Sequence, residues 1–311
     1  MKFDLLRKNT LALSLIAVLC LSGAVKLRGA QDGAAHENSL PQDQIEKIIE
    51  AKGEVEDGVL DIGLPRKDIG EVQGPDGVTL TPDFGVSGEL LFQSTPDGQA
   101  FLNGDIPLRE EEVNPFIEAL LTHGIIFQAF HQHMPTTPQV WFVHFRGTGA
   151  PVELATSIKA ALKKTGLAFP LKAPPQNPKS PLDSERLAKI LHGEASIGEN
   201  GVVTIWIKRK DKVTVDGVEA NPRANISTNV EFKPIGQGPR AAVIPDFSMK
   251  AEQVTPVITL MRTKLGWYQG CLYNQEISET PQLFFDHMVK TGDAYELAKE
   301  IRQGLDLTES Q

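Results

Sequence analysis

The chain has 311 residues, of which 41% are hydrophobic, 23% charged and 6% aromatic, a composition that excludes fibrous, disordered and polytopic membrane classes and, at this length, favours two domains. A formal charge of −9 excludes a non-specific nucleic-acid binder, which needs a basic face to displace phosphate counterions. Two cysteines, Cys20 and Cys271, exclude a disulfide scaffold.

In chain order, residues 1–30 come first and read as a signal peptide with a short leader. Lys2, Arg7 and Lys8 precede an apolar run from Leu11 to Leu21, and Ser22-Gly23-Ala24 supplies the small residues of a cleavage site. The run is about half the roughly 20 residues of a membrane-spanning helix. The protein is therefore expected to be exported, to a periplasm or beyond, with membrane attachment only if this segment is retained or Cys20 is lipidated. Leu19 stands where a lipid-acceptor cysteine wants a small residue. Cleavage after Ala24 removes Lys2, Arg7, Lys8 and Asp4 and takes the charge from −9 to −11, so acidity reads as solubility outside the cytoplasm.

The rest of the chain is an internal repeat, residues 40–165 answering residues 182–308. Ile45, Ile48 and Ile49 answer Leu187, Ile190 and Leu191; Arg66-Lys67-Asp68 answers Arg209-Lys210-Asp211; Asp105 answers Asp246; Thr137-Pro138-Gln139 answers Thr280-Pro281-Gln282; His144 answers His287. Between the copies, residues 166–181 carry five prolines, which remove backbone donors and suit a linker.

Within a copy, Pro41 to Ala51 has helical apolar spacing. Short strands are predicted at Val59–Leu64, Val78–Thr81, Gly88–Gln93 and Ala100–Ile106. Val113, Phe116, Ile117, Leu120 and Leu121 form one helical face, with Pro115 placed in the first turn and Glu110-Glu111-Glu112 as a solvated start. Ile125–Met134 and Gln139–Arg146 read as a β-hairpin, and Leu154, Ile158 and Leu162 as the buried side of a closing helix. The fold class is α+β: two pseudo-symmetric repeats, each an antiparallel sheet with helices packed on one face.

Chemistry concentrates on the hairpin. His131 and His133 lie two apart and share a strand face; His144 joins them if His131 stands opposite it or is slipped by two residues, and leaves them on a one-residue slip. Three imidazoles with an open fourth position suit zinc or copper and would lower the pKa of a bound water. The alternative is that the histidines are sheet residues bonded to neighbours or solvent. In the second copy, Asn274, Glu276 and His287 are expected at the corresponding positions, a degenerate site because Asn is a poor transition-metal ligand. Asp105 is a weak candidate for a general base, or else caps the helix that follows. Arg66 and Asp68 either clamp an anionic ligand or form an ion pair. Nothing in the sequence around Cys271 lowers its thiol pKa.

The stretch Gly104-Asp105 through Glu112-Val113-Asn114-Pro115 to His131-Gln132-His133-Met134 and His144-Phe145 resembles the LppY/LpqO family of bacterial exported proteins and lipoproteins, built around a domain of unknown function. That family is expected to read His-Asn-His-Met and His-Phe-Trp on the two hairpin strands, so Gln132 and Arg146 depart from it while the histidines stay. The resemblance covers both copies and implies export and paired domains but no reaction. Three readings follow: a protein binding a metal or small ligand through His131, His133 and His144; a metal-dependent hydrolase; and a non-catalytic module that contacts an envelope component.

Overall fold

The computed structural model describes residues 40–311; the expected signal segment, with Cys20, lies outside the described residues. In the first repeat, helix α1 (Gln42–Ile49) precedes strands β1 (Glu54–Glu56), β2 (Val59–Pro65), β3 (Ser87–Ser94) and β4 (Ala100–Leu108), helix α2 (Glu110–Thr122), strands β5 (Ile126–His131) and β6 (Trp141–Gly149), and helix α3 (Pro151–Leu162). The second repeat has helix α4 (Ser184–Leu191), strands β7 (Glu194–Ile197), β8 (Val203–Ile207), β9 (Thr228–Pro234) and β10 (Arg240–Lys250), helix α5 (Ala251–Ile258), strands β11 (Tyr268–Tyr273) and β12 (Leu283–Asp293), and helix α6 (Ala294–Leu305). The two six-stranded antiparallel sheets have matching orders, β1-β2-β3-β4-β6-β5 and β7-β8-β9-β10-β12-β11. Residues 166–181 contain no helix or strand. None of the described helices is long and apolar enough to cross a membrane.

Strand alternation sorts the side chains by layer. On β2, β3 and β4 the alternate residues Leu60, Ile62, Leu90, Phe92, Leu102 and Ile106 point to α1, α2 and α3 and join Ile45, Phe116 and Ile158 in one core. Val203, Ile205, Val230, Phe232, Val243 and Phe247 do the same beneath α4 to α6. Burying each such side chain contributes about 1.5–3 kcal/mol, so the helices are held by one apolar face each. The opposite sheet faces cover each other in part. Two further cores mix the repeats, one joining Leu80, Phe84 and Phe142 to Ala242, Ile244 and Val289, the other joining Phe101 to Val215, Ile226 and Phe285. The sheets thus stack with their helix-free faces inward, and polar cross-links tie them: Asn103 Nδ2 donates to the Ala224 carbonyl at 3.0 Å, and the Gly85 amide donates to Glu231 at 3.0 Å.

Two sequence expectations change. Helix α2 starts at Glu110, which puts Pro115 at its sixth position rather than in the first turn, and Pro256 holds the same place in α5. Glu112 is not part of a solvated start; it is buried, and both of its carboxylate oxygens accept from Arg66 Nη2, at 2.8 and 2.9 Å. Arg66 is fully buried, also bonds Asp68 at 2.9 and 2.8 Å, and donates to the Pro107 carbonyl. All three of its guanidinium nitrogens bond inside the fold and the side chain is not exposed, which is the ion-pair arrangement. Arg209 repeats the pattern with Asp211 and Ser248.

Candidate metal centre

The hairpin register decides whether the three histidines meet. His131 pairs with Phe142 and Ala129 with His144, a two-residue offset that keeps His131 and His144 on one face. A bulge at Gln128 sets this register. His133 lies just beyond the end of β5, where its ring stacks on Phe142 with centroids 3.4 Å apart. Ligand atoms of His131, His133 and His144 all fall within 4.8 Å of one another, the make-up of a group that can hold a metal ion. His131 Nε2 stands 2.9 Å from His144 Nε2, near the roughly 3.3 Å between nitrogens on a tetrahedral ion.

The second repeat closes over this cluster rather than standing apart from it. Its own hairpin carries a bulge at Gly270, and Cys271 pairs with His287 as Ala129 pairs with His144. Counting on from that pairing, Tyr273 answers His131 and Gln275 answers His133. Asn274 and Glu276, expected there from the sequence, lie one residue further along. Asn274 donates instead to Glu279 and to the Leu283 carbonyl, each at 2.6 Å, while Glu276 is buried 3.9 Å from Arg146. His287 does reach the site: its ring stacks on His133 with centroids 3.7 Å apart, and Tyr273 stacks on His131 at 3.7 Å. Cys271 Sγ sits 3.7 Å from Nδ1 of both His131 and His287. Burial pushes its thiol well up, so it is a neighbour of the cluster and not a thiolate.

Burial also sets the charge state of the imidazoles. It pushes His131 down to about 4 and holds His133, His144 and His287 well below the ordinary histidine value. At neutral pH the rings are uncharged, the form that offers a lone pair to a metal. His133 Nε2 is buried without a hydrogen-bond partner, a costly state unless something satisfies it.

A cavity of 390 Å³ opens beside the cluster, lined by His133, His144, Tyr273 and His287 together with Asp61, Glu89, Asp105, Glu231 and Asp246. Asp105 does not cap α2, whose N-cap is Arg109; it pairs with His144 across β4 and β6, as Asp246 pairs with His287. Burial raises the Asp105 carboxyl to about 7, a value from which a carboxylate can take a proton near neutrality. The carboxylates from β2, β3 and β9 carry no sequence signal of their own, because each is one polar position in an alternating strand. The repeat is the one signal that could have found Tyr273 and Cys271, had the bulge been placed.

No curated protein matches the sequence. Among solved structures the chain is similar to one described as "Crystal structure of a trimeric bacterial microcompartment shell protein PduB", at 11% identity over 84% of this chain and 96% of that one, with a TM-score of 0.20; a likeness that weak shows nothing about fold or function here. The two halves that face each other across the cavity are each matched by one family model, over residues 43–164 and 185–307, and the chain belongs to the family described as Domain of Unknown Function (DUF1259), present as two copies.

Proposed function

We propose that this is an exported protein that binds a transition metal, zinc or copper by its ligand chemistry, through His131, His133 and His144. The observation that carries the reading is the convergence of three ligand atoms within 4.8 Å in the protein interior, with His133 Nε2 buried and unpartnered. Neutral nitrogen donors of intermediate softness suit these ions. Export is supported by the charged-then-apolar start of the sequence and by the LppY/LpqO resemblance, whose hairpin histidines are the residues in the cluster.

Metal analysis and titration of the purified chain test this. The wild type is expected to take up one equivalent of zinc or copper, and the triple variant His131→Ala, His133→Ala, His144→Ala to bind at least about 100-fold more weakly. Equal uptake by both would overturn the assignment. Cell fractionation tests export: removal of residues 1–24 is expected to leave the protein in the cytoplasm.

A further inference from the structure

In the second hairpin the positions that answer His131 and His133 hold Tyr273 and Gln275. These two bond each other: the Tyr273 hydroxyl donates to Gln275 Oε1 at 3.2 Å. Gln275 is 1% exposed, and its Nε2 donates to the Asn225 carbonyl. The phenol is thus anchored at its oxygen to a buried side chain that is itself tied to the backbone.

The ring anchored in this way lies on a histidine of the first repeat. Tyr273 stacks on His131 with centroids 3.7 Å apart and planes 22° from parallel. The other rings around His131 stand further off, His144 at 5.0 Å, His133 at 5.2 Å and Phe142 at 6.2 Å.

His131 needs such a neighbour if it is to serve a metal ion. The torsion that turns an imidazole about its Cβ–Cγ bond has broad minima, so the rotamer alone does not aim the ring. One local bond sets its tautomer. Nδ1 lies 3.2 Å from the Gln132 carbonyl, and because a carbonyl only accepts, that nitrogen carries the ring proton and Nε2 keeps its lone pair. Nε2 is the atom that faces His144 Nε2 at 2.9 Å. Gln132 is the next residue in the chain, so its carbonyl moves with His131. The Tyr273 face comes from the other repeat and holds the ring plane against an independent support.

We infer that Tyr273 is a positioning residue of the metal centre, a platform from the second hairpin that keeps the plane of His131 aimed at the ion. The inference rests on the metal reading of the three histidines. Groups that orient a ligating imidazole from behind are worth about 10–100-fold in metal affinity, and here the orienting group is an aromatic face rather than a hydrogen-bond acceptor.

Two substitutions in the full chain separate platform from filler. Tyr273→Leu removes the aromatic face, and Tyr273→Phe keeps it. Zinc affinity, measured by competition with a chelator, is expected to fall at least about tenfold in Tyr273→Leu and to stay near the wild type in Tyr273→Phe. Cobalt bound in place of zinc reports the geometry: its visible d–d bands should change in the leucine variant and return in the phenylalanine one. The stack also leaves a mark without added metal, since an aromatic ring shifts the resonances of protons lying over its face. The His131 ring protons should move in Tyr273→Leu and hold their position in Tyr273→Phe. Tyr273→Met, a flexible side chain without a ring, is the second variant should Tyr273→Leu not fold, with the same outcome expected. Phe232→Leu, in the helix-side core of the second repeat, lowers stability away from the cluster and should leave zinc affinity and the His131 resonances unchanged. A folded Tyr273→Leu or Tyr273→Met with wild-type affinity overturns the inference. So does a loss of affinity in Phe232→Leu equal to theirs, which would tie binding to stability and not to ring placement. In either case a wild type that binds zinc leaves the three-histidine reading standing, whereas a wild type that takes up no metal sinks both.

Discussion

Glu231 shows at single-residue scale what the cavity does to its walls. Burial raises its carboxyl to about 7, with the Gly85 amide bond acting against the rise and Asp83 adding to it. The unfolded chain releases this proton near the ordinary value of 4.5, so between about 4.5 and about 7 the folded state holds a proton that the unfolded state has lost. Stability contributed by this group therefore falls as pH rises through that window and stays lower above it. Glu231→Gln removes the titration and retains an acceptor for Gly85. The variant is expected to gain on the wild type by about 1–2 kcal/mol between pH 5 and pH 7.5, allowing for the water that reaches the cavity. Urea midpoints across pH check it, and parallel profiles for the two proteins would refute it. The three histidines were legible as a group because two stand at strand spacing and the third returns on the partner strand. Glu231 was not, since its importance lies in carboxylates brought from strands more than a hundred residues away.

At the scale of elements, the second hairpin turns on Gly270. A side-chain carbon there would come within 2.5 Å of the backbone oxygens of both His133 and His287, far inside van der Waals contact. The glycine lets the bulged strand β11 lie against the loop that carries His133. Gly270→Ala is expected to push that loop away, lower metal affinity at least about tenfold and cost about 1–3 kcal/mol of stability. Metal titration beside an unfolding curve measures both; unchanged affinity in a folded variant would show that the close approach is immaterial to the cluster. The strands and helices around it were readable from period, because residues such as Val113, Phe116 and Leu120 or Leu60 and Ile62 repeat at the spacing of their element. The bulge was not readable. It inserts one residue into a strand without changing the apolar pattern, so a count along the sequence reaches Asn274 where the structure presents Tyr273.

At the scale of the whole molecule, the sequence shows two repeats and a proline-rich join, from which a pseudo-symmetric pair is expected. The structure joins them through cores to which both repeats contribute, Phe142 with Ile244 and Phe101 with Phe285 among them. Which faces meet was not legible, because the inward sheet faces mix apolar and charged residues, and alternation alone reads such a face as solvated. The halves are accordingly expected to unfold together. Calorimetry should give a single transition with matching calorimetric and van't Hoff enthalpies, whereas two resolved transitions would mean that the shared cores contribute little to stability.

The stacking of the two repeats about one cavity has a further consequence. If two separate copies of a chain met this way as a homodimer, every residue facing the centre would occur twice, and the ligand would meet the same groups from both sides. Joining the copies in one polypeptide lifts that constraint. Asp105 and His144 remain matched by Asp246 and His287, but the strand pairings set Asp61 against Thr204, Glu89 against Asn229 and His131 against Tyr273. Positions that a homodimer would keep identical have become different within a single enclosure. Covalent linkage of the halves thereby allows equivalent positions of the two repeats to carry different chemistry inside one enclosure.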